Sequence, residues 1–305
     1  MELLKIAYNI NLYFIPIMII FGIIGNILNI FIFTRPALHR SCSIYFLAGS
    51  FNGLIILIFG TLNDWFSQIF PVLNPIGTSL SYCRFLSYFI YVIYNLAPYF
   101  TACITIDRFL SSCPDANLRR LSSRPQTAYI VIPIIILMTS IAYIHMPIRY
   151  TIIWSICQPE PGFYANFFPF FTTGYYFFAI ILIIIFGLGT SYNIRSRRRR
   201  IQPLVNTNAI VERRRARGDA QLLIILFVHV VCYAALALPF HITLMIAAIK
   251  PTLAVNIIFL FAQQITFVTL NLSQSISFYV FTLTAKMYRK ELINLIRRVK
   301  DHYWH

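Results

Sequence analysis

The sequence predicts an all-α membrane protein, a seven-transmembrane helix bundle followed by a short amphipathic eighth helix. Of its 305 residues 59% are apolar and only 11% charged, against roughly 25% charged in soluble domains. Seven apolar runs recur along the chain, and each is long enough for a bilayer core that takes about 20 residues of helix. Basic residues cluster on alternate connections. Seven spans with short links use most of the length, so residues 1–305 are expected to form a single domain.

The runs cover residues 10–34, 43–66, 80–112, 127–148, 166–194, 220–249 and 254–284. In lipid the backbone must satisfy its own hydrogen bonds, so each run is read as helix. The first begins near Leu12 and passes Phe33, which exceeds the apolar core of a secretory signal, so it reads as a retained span. The third ends on the charged pair Asp107-Arg108, and the fifth contains the aliphatic stretch Ala179–Phe186. That stretch has strand-like composition, but its length and context favour helix. The sixth carries Pro239, and the seventh encloses Asn271-Leu-Ser273, a glycosylation sequon out of reach inside a span. Beyond it, residues 286–299 place Tyr288, Leu292, Leu295, Ile296 and Val299 at helical spacing among basic residues, the pattern of an interfacial helix. No internal repeat is visible, which weighs against transporters built from duplicated halves.

Orientation follows from the basic residues. With seven spans, 21 of the 25 Lys and Arg residues fall on one side, and only Lys5, Arg84, Arg149 and Lys250 on the other. The basic side is expected to be cytoplasmic and the amino terminus extracellular, in a plasma-membrane protein. The net charge of +16 is thereby explained by topology, and no nucleic-acid partner is implied, since that needs a basic water-soluble face. The same topology sorts the cysteines. Cys42 and Cys113 lie at cytoplasmic helix ends and Cys103 and Cys232 within spans, leaving Cys83 and Cys157 on the oxidising side, where disulfides persist. A Cys83–Cys157 bridge is expected; the alternative is two unpaired external thiols.

The motifs resemble those of rhodopsin-like G-protein-coupled receptors over essentially the whole chain. Gly25-Asn26 matches the Gly-Asn pair of the family's first helix, and Cys83 stands 25 residues before Arg108 of Asp107-Arg108-Phe109, the family's spacing from disulfide cysteine to Asp-Arg-Tyr arginine. Pro239 matches the sixth-helix proline, and the segment from Lys286 resembles the family's eighth helix. The departures are equally specific. Leu236-Ala237-Leu238-Pro239 replaces Cys-Trp-x-Pro, Ser277 to Phe281 replaces Asn-Pro-x-x-Tyr, and Asn52 is the nearest polar residue to the missing acid of helix two. Lacking that acid, the bundle is not expected to bind sodium tightly. In overall look the chain is nearest to divergent invertebrate orphan and FMRFamide-type peptide receptors.

The resemblance implies an outward-facing ligand cavity and a cytoplasmic face that admits a heterotrimeric G protein. Asp107, Arg108 and Phe109 are expected at that face, with Asp219, 20 residues before Pro239, as either an acidic partner of Arg108 or the cap of helix six. Asn26, Asn52, Pro239, Ser277 and Phe281 are the expected packing residues. Ile90 stands where amine receptors carry aspartate, and Asn271 where opsins carry the retinal lysine, so neither an amine nor retinal is expected. Tyr91, Tyr94, Asn95, His241, Gln263, Gln264 and Phe267 are the candidate ligand contacts, each with a plain packing role as the alternative. Glu160 joins them, with Asp64, as an external partner for a basic peptide. A short peptide fits this largely aromatic mouth. No metal-binding or phosphate-binding motif and no cofactor is implied. The competing functions are a non-signalling ligand sink or heterodimer partner and a seven-span transporter, the latter disfavoured because mid-span charges are nearly absent.

Overall fold

The computed structural model describes residues 2–35, 41–70, 74–200, 207–254, 256–284 and 286–303. Within these, Leu4, Ser123, Ala254, Ile296 and residues 197–200, 207–225, 286–287 and 298–303 are described by backbone alone. Seven helices among the described residues are long and apolar enough to cross a membrane: Lys5–Phe33, Ser41–Ile69, Leu80–Ser112, Pro125–Arg149, Phe163–Ser196, Leu226–Ile249 and Ile257–Ser275. They are numbered in this order as the first to seventh spans. The third is the axis of the bundle. In its most apolar stretch 61% of residues are buried, against 17% in the fourth, which therefore offers most of its side chains to lipid.

Local chemistry sets several helix ends. The third span is capped by Ser79, whose hydroxyl accepts from Tyr82 N, and the seventh by Asn256, whose Oδ1 accepts from Ile258 N; both satisfy amides that a helix start leaves unpaired. Pro125 opens the fourth span, a position where its missing N–H costs nothing. The first helix extends outward to Glu2, beyond the apolar run. The seventh breaks at Ile276 and resumes as Ser277–Thr284 without any proline at the break. An amphipathic helix, Lys286–Tyr303, follows. Its Tyr288 and Leu292 pack on an inner apolar cluster that includes Phe33, Phe46 and Phe281.

Two wide turns of π-helix, Ile10–Phe14 and Ile56–Thr61, interrupt the first and second spans. Such turns change the register of the helix beyond them and are frequent at functional sites. Thr61, the last residue of the second, is 1% exposed and faces the bundle.

The loop between the fourth and fifth spans is a β-hairpin. Strand β1 (Tyr150–Ile153) pairs antiparallel with β2 (Ile156–Pro159). Its two-residue turn is Trp154-Ser155, both at positive φ (53° and 59°), a turn usually made by Asn-Gly. Gly77 lets the turn approach: a Cβ there would lie 2.4 Å from Ser155 O.

Small residues and asparagines lock the inner half together. Asn26 Nδ2 donates to Gly22 O (2.9 Å) and to Gln274 O (3.2 Å), joining first and seventh spans. Asn52 Nδ2 donates to Ile93 O at 2.9 Å, joining second and third. Asn29 Nδ2 donates to Ser277 Oγ at 3.3 Å and its Oδ1 accepts from Tyr288. In lipid, close backbone approach and interhelical hydrogen bonds take over much of the role that water exclusion plays elsewhere. A Cβ on Gly22 would meet Ser275 Oγ at 2.5 Å and Leu57 Cδ1 at 2.8 Å. Gly22→Val is therefore expected to push the first span off the seventh and lower stability by about 1–3 kcal/mol, the usual cost of overpacking. Thermal unfolding of the detergent-solubilised protein checks this; an unchanged midpoint would show that the contact gives way without cost.

Candidate functional site

The outer half of the bundle is roofed by the hairpin. Cys83 at the top of the third span is bonded to Cys157 on β2, with Cα atoms 5.7 Å apart. Arg84 Nε donates to Tyr150 O at 3.0 Å, a second tie between helix and β1. Beneath, Tyr91, Tyr143, Tyr150, Tyr164 and Phe168 form a packed aromatic cluster joining spans three, four and five to the hairpin.

Two cavities lie among the spans, the first of them sharing Tyr91 with this cluster. The deeper, of about 200 Å³, is lined by Ile90, Tyr91, Tyr94, Asn95, His241 and Phe267, and also by Gly60, Asp64, Thr172, Tyr176, Tyr233, Phe240, Leu244 and Leu270. The outer, of about 620 Å³, is lined by Gln263, Gln264 and Phe267 of the seventh span together with Ala7, Tyr8, Asn11, Asp64, Gln68, Phe240, Leu260 and Phe261. Every sequence-level ligand candidate except Glu160 thus borders one of the two. Glu160 lies apart, about half exposed, where its carboxylate accepts from Arg149 Nη1 at 3.0 Å. The hairpin explains this: Glu160 N bonds Arg149 O just beyond the strand pair, which sets the two side chains together at its base. Asp64, the other acid expected to meet a basic peptide, borders both cavities.

The floor holds polar contacts that sequence reasoning missed. Thr61 Oγ1 donates to Asn271 Oδ1 at 2.6 Å, Tyr94 OH donates to the same oxygen, and Asn271 Nδ2 donates to Phe267 O at 2.9 Å. Spans two, three and seven meet there. His241 stacks on Tyr176 with ring centroids 3.9 Å apart, which ties the turn after Pro239 to the fifth span. Thr269 Oγ1 donates to Leu236 O at 2.8 Å on the same kinked stretch. Tyr176 and Thr61 carry no distinguishing sequence signal, since each sits in an apolar run and only the packing selects it.

Between these cavities and the end of the bundle away from the hairpin lies a third space of about 50 Å³, bordered by Asn26, Ser50, His229, Ser273, Gln274 and Ser277 among others. Such a polar volume suits a few waters. No carboxylate borders it, and Asn52 is bonded to backbone rather than directed into it.

At the end of the third span away from the hairpin, Asp107 and Arg108 are both buried. Arg108 Nη2 donates to Asp107 Oδ2 at 2.9 Å. Ser122, on the loop helix Ala116–Ser123, donates from Oγ to both Asp107 Oδ1 and Asp107 O at 2.9 Å. Phe109 turns outward from this pair and rests on the fifth span, where a Cβ on Gly189 would come within 2.8 Å of its ring. Phe281 is buried against Phe33 and Phe46. Asp219 does not cap the sixth helix, which runs Thr207–Ile249 and so begins twelve residues earlier; its side chain lies outside the described residues.

Residues 25–276 match the family model described as 7 transmembrane receptor (rhodopsin family). The chain belongs to that family. It is a multi-pass membrane receptor of a non-enzymatic fold. The crystal structure of squid rhodopsin is similar, with a TM-score of 0.74 at 16% identity, covering 97% of this chain and 86% of that one. Identity that low shows the shared fold alone. No curated protein sequence matches the chain. Within the rhodopsin family this member carries Asn271 hydrogen-bonded to Thr61 and Tyr94, and an amide cannot form a Schiff base with retinal.

Proposed function

We propose that the chain is a plasma-membrane receptor that binds a short extracellular peptide and activates a cytoplasmic heterotrimeric G protein, with its amino terminus outside and carboxyl terminus inside. The observation that carries this reading is the pair of adjoining cavities that share Asp64, Phe240 and Phe267. The deeper one suits a single ring-sized group and the outer one several more side chains. Family membership supports the coupling partner, and the buried Asp107-Arg108 pair at the opposite end supplies an element that a ligand-driven helix shift can release. The test is expression with a panel of G-protein activation sensors, first without ligand and then with a peptide library. Activation in at least one channel is the expected result. Binding without activation in any channel would establish instead a receptor-like ligand sink, the alternative raised by Leu236-Ala237-Leu238-Pro239.

The topology has its own check. An epitope tag at Thr207, between the fifth and sixth spans, is expected to stain only permeabilised cells. Staining of intact cells would reverse the assigned orientation.

A further inference from the structure

Three residues border both outer cavities: Asp64, Phe240 and Phe267. They stand at the boundary shared by the two chambers, the neck. The two rings lie with centroids 5.5 Å apart. Among the described residues Asp64 is the sole carboxylate bordering either chamber, and no Lys or Arg borders them. Nor does any described residue form an ion pair with it. A carboxylate set at an aromatic constriction without a counter-ion is costly in a low-dielectric bundle, and the cost is offset when a cation arrives.

The protein spends three amides on holding this carboxylate. Gln264 Nε2 donates to Asn11 Oδ1 (2.9 Å), Asn11 Nδ2 donates to Gln68 Oε1, and Gln68 Nε2 donates to Asp64 Oδ2 (2.7 Å). The direction of the chain is dictated by its end. An ionised carboxylate only accepts, so Gln68 must donate to it and accept from Asn11, which in turn accepts from Gln264. Spans seven, one and two are thus tied into one support for a single charge. Only one carboxylate oxygen is used; Oδ1 accepts nothing from the described residues.

The deep chamber adds a second requirement. Asn95 Oδ1, Tyr176 OH and His241 Nδ1 are buried there without hydrogen-bond partners. Because Asn95 Nδ2 already donates to Tyr91 O at 2.9 Å, its free oxygen calls for a donor. A chamber of about 200 Å³ holds roughly one ring-sized group, given that a cavity of about 150 Å³ holds benzene.

Resting on the proposed receptor function, we infer that the ligand is cationic: an ammonium or guanidinium sits at the neck against Asp64 Oδ1 and the faces of Phe240 and Phe267, while a compact group bearing a hydrogen-bond donor fills the deep chamber below. Carboxylate and ring faces attract a cation together, the rings through their quadrupoles. The charge-bearing position differs from that of amine receptors, whose aspartate is replaced here by Ile90 on the facing wall of the same chamber.

The test uses the full-length protein in detergent and reads thermal stabilisation, so that it does not depend on coupling. The probes are amidated tetrapeptide pools in which one position is Lys, Arg, citrulline or norleucine, together with 2-phenylethylamine and agmatine. Lys or Arg pools, or the free amines, are expected to stabilise the parental protein, and the citrulline and norleucine pools are not. Asp64→Asn is expected to weaken the effective probes by about tenfold or more, the loss of one charge-assisted hydrogen bond. Asp64→Glu should retain part of the response. Phe267→Leu, which leaves the carboxylate in place, should weaken it severalfold and serves if Asp64→Asn does not fold. Equal stabilisation by citrulline pools, an undiminished response in Asp64→Asn, or no stabilisation by any cationic probe overturns the inference. Response to the peptides alone identifies a peptide as the source of the cation. Response to the free amines alone leaves the cation site standing and removes the peptide from the proposed function. Asp64-dependent binding with silent G-protein sensors removes only the coupling.

Discussion

Cys83→Ser, Cys157→Ser and the double variant are expected to reach the cell surface at equally reduced levels. The bridge closes a loop spanning a sequence separation of 74, and closing a loop of that size contributes about 4 kcal/mol in the chain-entropy model. That loop contains nearly all of the third span and the whole of the fourth, so its loss acts on the unfolded chain as well as on the hairpin. The folded state loses the anchor that holds β2 against the third span, and with it support for the aromatic cluster containing Tyr91, which lines the deeper cavity. Single and double variants should coincide because the second substitution has no bond left to remove. Surface labelling by flow cytometry with a total-protein control measures the effect. Normal surface levels together with maleimide labelling of both cysteines on intact cells would sink the pairing in the cell.

The bundle was legible in the sequence because a bilayer imposes a length and a composition on every segment that crosses it, and the seven apolar runs meet both. The disulfide was legible for a related reason: topology leaves Cys83 and Cys157 together on one side. What sequence could not show depends on register. The π-turn Ile56–Thr61 leaves no compositional mark, yet Thr61 at its end faces the bundle, and Asp64, three residues on, borders both cavities. Glu160 and Asp64 looked alike as outer-face acids. The hairpin, hidden because its turn is Trp154-Ser155 rather than a glycine-containing pair, sets Glu160 against Arg149 and removes it from the cavities. Asn11 gave no signal at all, since its role is to pass hydrogen bonds between Gln264 and Gln68.

Asp107→Asn is expected to raise ligand-free G-protein activation and to lower stability, whereas Ser122→Ala should lower stability with a smaller rise. The structure separates the two tasks of Asp107. Its Oδ2 takes the charged contact from Arg108 and its Oδ1 the hydroxyl of Ser122. Asparagine in the same rotamer keeps a carbonyl oxygen for Ser122, so the loop helix Ala116–Ser123 stays docked, but the carboxylate charge opposite Arg108 is gone. Both members of the pair are buried, with the Arg108 and Asp107 side chains 7% and 4% exposed, and removing one partner of a buried pair costs about 3–5 kcal/mol. That loss falls on whichever state holds the pair closed. If the closed pair belongs to the resting receptor, part of the cost appears as a shift toward the active arrangement, and a bias of about 1.4 kcal/mol changes the population ratio tenfold. Ser122→Ala leaves the ion pair intact and frees only the loop helix, so its effect on basal signalling should be the lesser of the two. Asp219 enters through the same assay: if its carboxylate also restrains Arg108, Asp219→Asn should raise basal activity and add little on top of Asp107→Asn, while an Asp219 without contact to Arg108 would leave basal activity unchanged; a capping role is excluded because the helix runs Thr207–Ile249. Basal sensor signal, normalised to surface expression, decides among them. An Asp107→Asn receptor that signals with ligand but shows the parental basal level would mean that the pair does not hold the resting state.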